Sequence, residues 1–368
     1  MPRFARRFAW RRGVRDVLFV SGPGGDGSRY RCDHQAEQLR LQGWAVDVGY
    51  HRKLDLDRLV GRHRTIVLSR VSWDEGIAQL VERARDTGTA ILADVDDLVF
   101  DPARVDLLRW LDDADSQRLV QERETMSRLR QTLESADGVL VSTDVLARQV
   151  TAVNSRVAVA YNTVSAAMAK AGAAAMAASG RDGGDVVLAY LSGTATHDRD
   201  FLEAAPAVLW ALERFEQVRF WAAGLLTLDE RFDRFSSRVV RLPYRPARQL
   251  PRLLASVDVS LAPLEPANDF TDAKSCLKYL EAAVVGVPTV ASATSDFRRA
   301  IEPGVNGFLA ADDAEWRAAV EELVASADRR REVGLAARDD VLAQHTTAAR
   351  APSLAATLEA LSGRERAT

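Results

Sequence analysis

The chain reads as an α/β protein built from two successive Rossmann-like units, each with its own parallel sheet. Three observations predict this. Short branched apolar runs recur along the chain, as buried strands do, and their spacers carry helical periodicity with few tight hairpin signals. An alanine-rich and then glycine-rich stretch of little bulk, AAMAKAGAAAMAASGRDGGD at 166–185, divides the runs into two series. The length, 368 residues, suffices for two domains with a substantial core in each.

In the first series VRDVLFVSG (14–22) is a strand ending in glycines, RCDHQAEQLRLQG suits a helix, and WAVDVGY is a second strand. RTIVLSR, AILADVDD, GVLVS and VAVAYNT continue it to about residue 160. The second series runs DVVLAYLSG, QVRFWAAG, VVRLPY, VDVSLAPL, VPTVASA and NGFLAAD, with helical patterns at FLEAAPAVLWALERF and EWRAAVEELVASA. Strands separated by helical spacers demand crossover connections and hence parallel sheets. The expected organisation is an N-terminal extension at 1–13, a first domain at 14–180, a second at 181–335, and a helical tail at 336–368 that packs across the domains. Two such sheets place a ligand between the facing carboxyl ends of their strands.

Composition narrows the function. A formal net charge of -3, with arginines interspersed among acids, argues against a nucleic-acid surface, and there is no organised stacking platform. Two cysteines, Cys32 and Cys276, make no disulfide framework and fit a cytoplasmic location. No apolar run approaches the roughly 20 residues that span a bilayer. Residues 1–13 differ: five arginines surround Phe4, Phe8 and Trp10, which reads either as a solvated terminus or as a peripheral contact with an anionic inner membrane face.

Four stretches carry candidate chemistry. GPGGDGSRYR (22–31) follows the first strand; its glycines, Gly25 among them, permit close backbone approach, and Ser28, Arg29 and Arg31 are placed to meet phosphate or an acceptor. No GK[ST] follows, so it is not a P-loop, and it is not a full dinucleotide fingerprint. ADVDDLVFDP (93–102) contains Asp94 and Asp96 in a D-x-D arrangement; one reading is a divalent metal held by carboxylates, another a loop-organising or acceptor-facing role for Asp96 and Asp97. SGTATHDRDF (192–201) places Gly193, Thr194, Thr196 and His197 just beyond a strand. The five histidines show no metal-ligand spacing, so no metal site is assigned.

The fourth stretch is NDFTDAKSCLKYLE (268–281). On a helical wheel Lys274, Lys278 and Glu281 fall within a sector of about 60°, beside an apolar stripe of Leu277, Leu280 and Val284. A lysine edge matches phosphate oxygens, and a carboxylate accepts from the vicinal hydroxyls of a ribose. Amides at the helix start, around Ala273, Lys274 and Ser275, would add positive potential. The same spacing also describes an exposed Lys278–Glu281 pair contributing a few tenths of a kcal/mol.

The segment from APLEPANDF through AKSCLKYLEAAVVGVPTVAS to GVNGFLA resembles the donor-binding region of retaining two-domain glycosyltransferases, the group 1, GT4-like enzymes of GT-B architecture. ADVDDLVFDP, YLSGTATHDRDF and RLPYRPARQLPRLLASVDVSLAPLE extend the likeness, in order, from residue 14 to about 340. The resemblance implies an enzyme moving a sugar from a nucleoside diphosphate sugar to a sugar, lipid-linked or natural-product hydroxyl, with no essential metal. It implies catalytic roles for His197, Lys274, Lys278 and Asp97, and donor contacts for Gly25, Arg31, Gly193, Thr194, Ser275 and Glu281. A non-catalytic nucleotide-sugar-binding protein and a nucleotide-sugar epimerase are the alternatives. The family's donor region carries two glutamates with seven residues between them. Glu281 matches the second, whereas the first position is Ala273.

Overall fold

The computed structural model describes residues 13–23, 26–55, 58–179, 184–193 and 198–363. The basic aromatic terminus at 1–12 lies outside them, and the reading of it as a membrane contact with it. Each predicted strand run contains a strand. The first sheet holds β1 (Arg15–Ser21), β2 (Val46–Tyr50), β3 (His63–Ser69), β4 (Ala90–Val95), β5 (Gly138–Val141) and β6 (Val157–Val159) in the order β2-β1-β3-β4-β5-β6. The second holds β7 (Val186–Ser192), β8 (Val218–Gly224), β9 (Val239–Leu242), β10 (Val259–Ala262), β11 (Thr289–Ser292) and β12 (Phe308–Ala310) in the order β12-β11-β10-β7-β8-β9. Every pairing is parallel.

β1 shows why these runs are continuous rather than alternating. Val17 and Phe19 point into a core shared with Ala36, Leu39, Leu354 and Leu358, while Leu18 and Val20 point into one shared with Ile77, Leu80 and Val81. Successive side chains leave opposite faces of a strand, and both faces are covered by helices, so neither can be polar. The helix Glu75–Thr87 on the second face is bounded by local chemistry. Asp74 accepts from the Ile77 amide at its start, and Gly88 ends it at a φ of 67°.

The strand orders fix where a ligand can enter. The first sheet reverses direction between β1 and β3, and the second between β7 and β10. At such switch points adjoining loops diverge and open a crevice. At the first switch point the backbones approach closely, since a Cβ on Gly22 would lie 1.9 Å from the Arg70 carbonyl oxygen; the ends of β7 and β8 are equally close, a Cβ on Gly224 falling 1.8 Å from the Ser192 carbonyl oxygen.

The lobes are joined twice. After β6 the chain crosses at 160–165, and the helix Ala166–Ala178, capped by Ser165, packs on the second lobe, with Ala175 in the core that contains Tyr279 and Leu280. The return crossing at 345–347 leads into the helix Thr347–Ser362, whose Leu354, Ala355, Leu358 and Leu361 pack beneath the first sheet. The crossings are hydrogen-bonded side by side, Val164 N to His345 O at 2.8 Å and Thr347 N to Val164 O at 2.9 Å. Glu37 Oε1 accepts from both, from the Ala166 amide at 2.9 Å and the Thr347 hydroxyl at 2.7 Å. His34 Nδ1 sits 2.7 Å from Thr163 O, which fixes that nitrogen as the donor.

Two predictions follow from this joint. A Cβ on Gly172 would lie 2.5 Å from the Val284 carbonyl oxygen, so Gly172→Val should cost about 1–3 kcal/mol in urea titration, whereas Gly184→Ala, with nothing within 4 Å, should be nearly neutral. Burial pushes His34 and His345 down to about 4, so both stay neutral in the folded chain. Unfolded, they take up protons near pH 6.5, so the unfolded state binds more protons between about 6.5 and 4. Stability should therefore fall as pH drops through that window, by up to about 1.4 kcal/mol per unit for each histidine. The pH slope of the urea midpoint should flatten in His34→Gln and His345→Gln; an unchanged slope would refute the assignment.

Candidate active site

The carboxyl ends of both sheets face one cavity of about 310 Å³. From the first lobe come Arg29 and Tyr30 after β1, Asp96 and Asp97 after β4, and Asn162 after β6. From the second come Ser192 and Gly193 after β7, Tyr244 and Arg245 after β9, and Lys274, Ser275, Lys278 and Glu281 around the start of one helix.

That helix, Leu277–Ala283, starts later than the sequence pattern implies. A short helix, Asp269–Asp272, precedes it, and the Ala273 and Lys274 amides are spent on the Asp269 and Thr271 carbonyls. The Cys276 amide donates to Asp296 Oδ2 at 2.7 Å. The expected ring of amides at 273 and 274 is therefore already satisfied, and the lysines supply the positive charge. Lys274 Nζ stands 4.6 Å from the centre of the Phe270 ring. Lys278 is half-buried; its ammonium donates to the Leu191 carbonyl and lies 5.1 Å from the centre of the Tyr190 ring. Burial pulls its pKa below the usual lysine value, against the opposing pull of Glu281 and Asp200.

Glu281 lines the cavity and is met from the opposite lobe. The Tyr30 hydroxyl donates to its Oε1, and Arg29 Nη2 lies 3.7 Å from the same oxygen. Arg31, expected to reach phosphate or acceptor, does neither. Its side chain is 1% exposed and forks onto Asp94, Nε to Oδ1 at 3.2 Å and Nη2 to Oδ2 at 2.6 Å. Residues Arg29–Asp33 form one turn of π-helix, which carries Arg29 to the cavity and Arg31 into the core. Asp94 also accepts from Ser69 Oγ and Gln35 Nε2, so the D-x-D reading loses its first carboxylate to a buried ion pair. Among the described residues no three His, Cys, Asp or Glu side chains are grouped as a metal site would need.

Asp96 and Asp97 do reach the cavity. Arg70 bridges them, Nη1 lying 3.3 Å from Asp96 Oδ1 and 3.4 Å from Asp97 Oδ2. Burial, with the neighbouring Asp97 charge, pushes the Asp96 pKa up against the pull of Arg70. Arg70 itself adopts a φ of 50°, a left-handed conformation uncommon for a non-glycine residue and typical of functional turns.

Ala273 has a physical reason. It is fully buried at the seam between lobes, in a cluster with Phe270 and the first-lobe residues Val95, Leu98, Val141 and Val145. Thr143 Oγ1 donates to its carbonyl at 2.9 Å. A carboxylate here would be desolvated among apolar side chains. Around this seam Arg109 Nε pairs with Glu265 at 2.9 Å, Arg104 pairs with Asp269, and Trp110 meets Phe270 edge-on at 5.3 Å.

The cavity thus gathers Lys274, Lys278, Ser275, Glu281, Gly193 and Asp97 as sequence reasoning expects, and leaves Arg31 out. Gly25, Thr194 and His197 lie outside the described residues. Tyr30, Asn162, Tyr244 and Arg245 join the cavity from outside the predicted set; Asn162, Tyr244 and Arg245 stand within three residues of a strand end, whereas Tyr30 is carried in by the π-turn.

A family model described as "Glycosyl transferase-like" matches residues 199–356, most of the second lobe and the return to the first. No curated protein sequence matches the chain. Among solved structures, sucrose-phosphate synthase from Thermosynechococcus elongatus is 15% identical, with a TM-score of 0.61 over 94% of this chain and 99% of its own. Anabaena HepE, in complex with UDP and glucose, is 14% identical, with a TM-score of 0.63 over 94% and 99%. A glycosyltransferase from Rickettsia africae is 10% identical, with a TM-score of 0.64 over 95% and 98%. At these identities the likeness is one of fold. The chain has the GT-B fold and carries a glycosyl transferase-like domain across residues 199–356.

Proposed function

We propose that this chain is a retaining glycosyltransferase that moves a sugar from a nucleoside diphosphate sugar, of the UDP-sugar class, to an acceptor hydroxyl. The observation that carries the reading is the convergence of Lys274, Lys278 and Glu281 on one cavity whose far wall supplies Arg29, Asp96 and Asp97. The three cations suit a diphosphate, and the carboxylates suit hydroxyl groups. The UDP held by a structure of the same fold, that of Anabaena HepE, supports the donor class.

In this reading Lys274, Lys278 and Arg29 surround the diphosphate and stabilise the charge it gains as the bond to the anomeric carbon breaks. Fixed ammonium and guanidinium groups take the part that a divalent ion plays elsewhere, so no metal is required. Glu281 accepts from the ribose hydroxyls. Asp97, held by Arg70, orients the acceptor hydroxyl. The new bond forms on the face that the leaving group vacates, and the acceptor proton passes to a phosphate oxygen; this retains the anomeric configuration, as the family resemblance implies. Gly193 lines the cavity, and the family resemblance assigns donor contacts to Thr194 and Gly25 and a catalytic role to His197. Closing the lobes around both substrates excludes water and fixes their orientation. The chain would act in the cytoplasm, with residues 1–13 bringing it to the membrane face for a lipid-linked acceptor.

Calorimetric titration with UDP and GDP should show binding that EDTA leaves unchanged; EDTA-sensitive binding would refute the metal-free reading. Glu281→Ala should weaken nucleotide binding by about tenfold or more. Lys274→Ala should lower turnover by about a hundredfold while the melting temperature stays near that of the unmodified chain. A donor-by-acceptor screen read by mass spectrometry tests the reaction. Nucleotide binding with no transfer to any acceptor would favour the non-catalytic alternative instead.

A further inference from the structure

We infer that Asn162 is a positioning residue that sets the direction in which the Ser275 hydroxyl donates, through a one-way hydrogen-bond relay reaching from the buried Arg31–Asp94 pair to the cavity. The inference rests on the nucleotide-binding reading above and adds a residue and a mechanism to it.

The relay begins with a group that can only donate. Arg31 Nη1 lies 3.1 Å from the Asn162 side-chain oxygen and 2.6 Å from the Ala160 carbonyl, while the rest of the guanidinium is engaged by Asp94. A guanidinium has no acceptor, so the Asn162 amide must present its oxygen to Arg31 and its NH2 group away. That NH2 group is 2.8 Å from Ser275 Oγ and donates to it. Having accepted there, the serine hydroxyl has its own proton left to give. Among the described residues that proton meets no acceptor, and Ser275 lines the cavity beside Lys274 and Lys278.

Three donors therefore point the same way, and the last faces the place assigned to the diphosphate. Asn162 is 5% exposed and Arg31 1% exposed, so water does not scramble the orientation. Asn162 follows β6 at the crossing between lobes, whereas Ser275 belongs to the second lobe. The relay is completed only when the crossing and the donor turn are in register. Hence the first lobe, beyond supplying Arg29, also controls a hydrogen bond that the second lobe makes.

Asn162→Asp tests the direction. The carboxylate still pairs with Arg31, but it accepts the serine proton instead of donating to the oxygen. The expected result is a loss of UDP or GDP affinity of about tenfold or more in calorimetry, together with a lowered melting temperature from the second carboxylate buried beside Asp94. Ser275→Ala, which leaves no buried charge unpaired, should lose about as much. In a cycle of Asn162→Ala, Ser275→Ala and their double variant, the double should bind no worse than Ser275→Ala alone. Wild-type affinity in either Asn162→Asp or Ser275→Ala overturns the relay, as does full additivity in the cycle. If the unmodified protein binds neither UDP nor GDP, the nucleotide reading itself fails, a result distinct from any of these.

Discussion

A guanidinium and a carboxylate buried together impose order on this molecule well beyond their own contact. Taking both charges out of solvent costs several kcal/mol for each, and their attraction offsets that only where the remaining donors and acceptors are also matched. Here they are matched by parts of the chain far apart in sequence. Asp94 is the penultimate residue of β4, Arg31 sits in the π-turn that follows β1, Ser69 ends β3, and Ala160 and Asn162 follow β6. The carboxyl ends of four strands are thereby tied to one point at the edge of the cleft. The pair does not bind substrate; it fixes the geometry of what does.

The cleft shows the same separation between residues that hold and residues that face the ligand. Lys278 is steadied by the Leu191 carbonyl and the face of Tyr190, so its ammonium is placed before a ligand arrives. Asp97 shares Arg70 with Asp96, and Arg70 is in turn bent into a left-handed turn against Gly22. Preorganisation of this kind suits a site that must stabilise charge developing during bond cleavage, because dipoles already in place need not reorganise.

Much of the architecture was legible in the sequence because strand burial on both faces leaves an unmistakable record. Runs such as VLFV and TIVLS admit no polar residue on either side, and their helical spacers force parallel connections. The donor turn was legible through Lys274, Lys278 and Glu281, whose spacing survives a late helix start. Arg29 and Arg31 were not separable in the same way. Two residues apart in a glycine-containing loop, they carry identical chemistry, and only the π-turn decides which faces solvent and which faces Asp94. The apolar seam around Ala273 was equally hidden, since it is formed by β4, β5 and the helix after β5, more than a hundred residues away in sequence. A substitution that reads as a lost contact is, in the folded chain, the residue that lets the lobes meet.

That seam bears on which donor sugar the cleft accommodates. With Ala273 covered by Val95, Leu98 and Val145, the turn before the helix Leu277–Ala283 presents Lys274 and Ser275 to the cavity but no carboxylate of its own. Carboxylates in the cavity come instead from Glu281, which Tyr30 and Arg29 engage from across the cleft, and from Asp96 and Asp97 on the first lobe. A carboxylate offers about four lone-pair positions, so Glu281 can keep its Tyr30 bond and still accept from a ribose. On the proposed reading the transferred sugar then lies between Asp96 and Asp97 of the first lobe and Gly193 of the second, so both lobes meet its hydroxyls. On that reading sugar choice is shared between the lobes, and the nucleotide is met by Lys274, Lys278 and Glu281 of the second lobe together with Arg29 of the first.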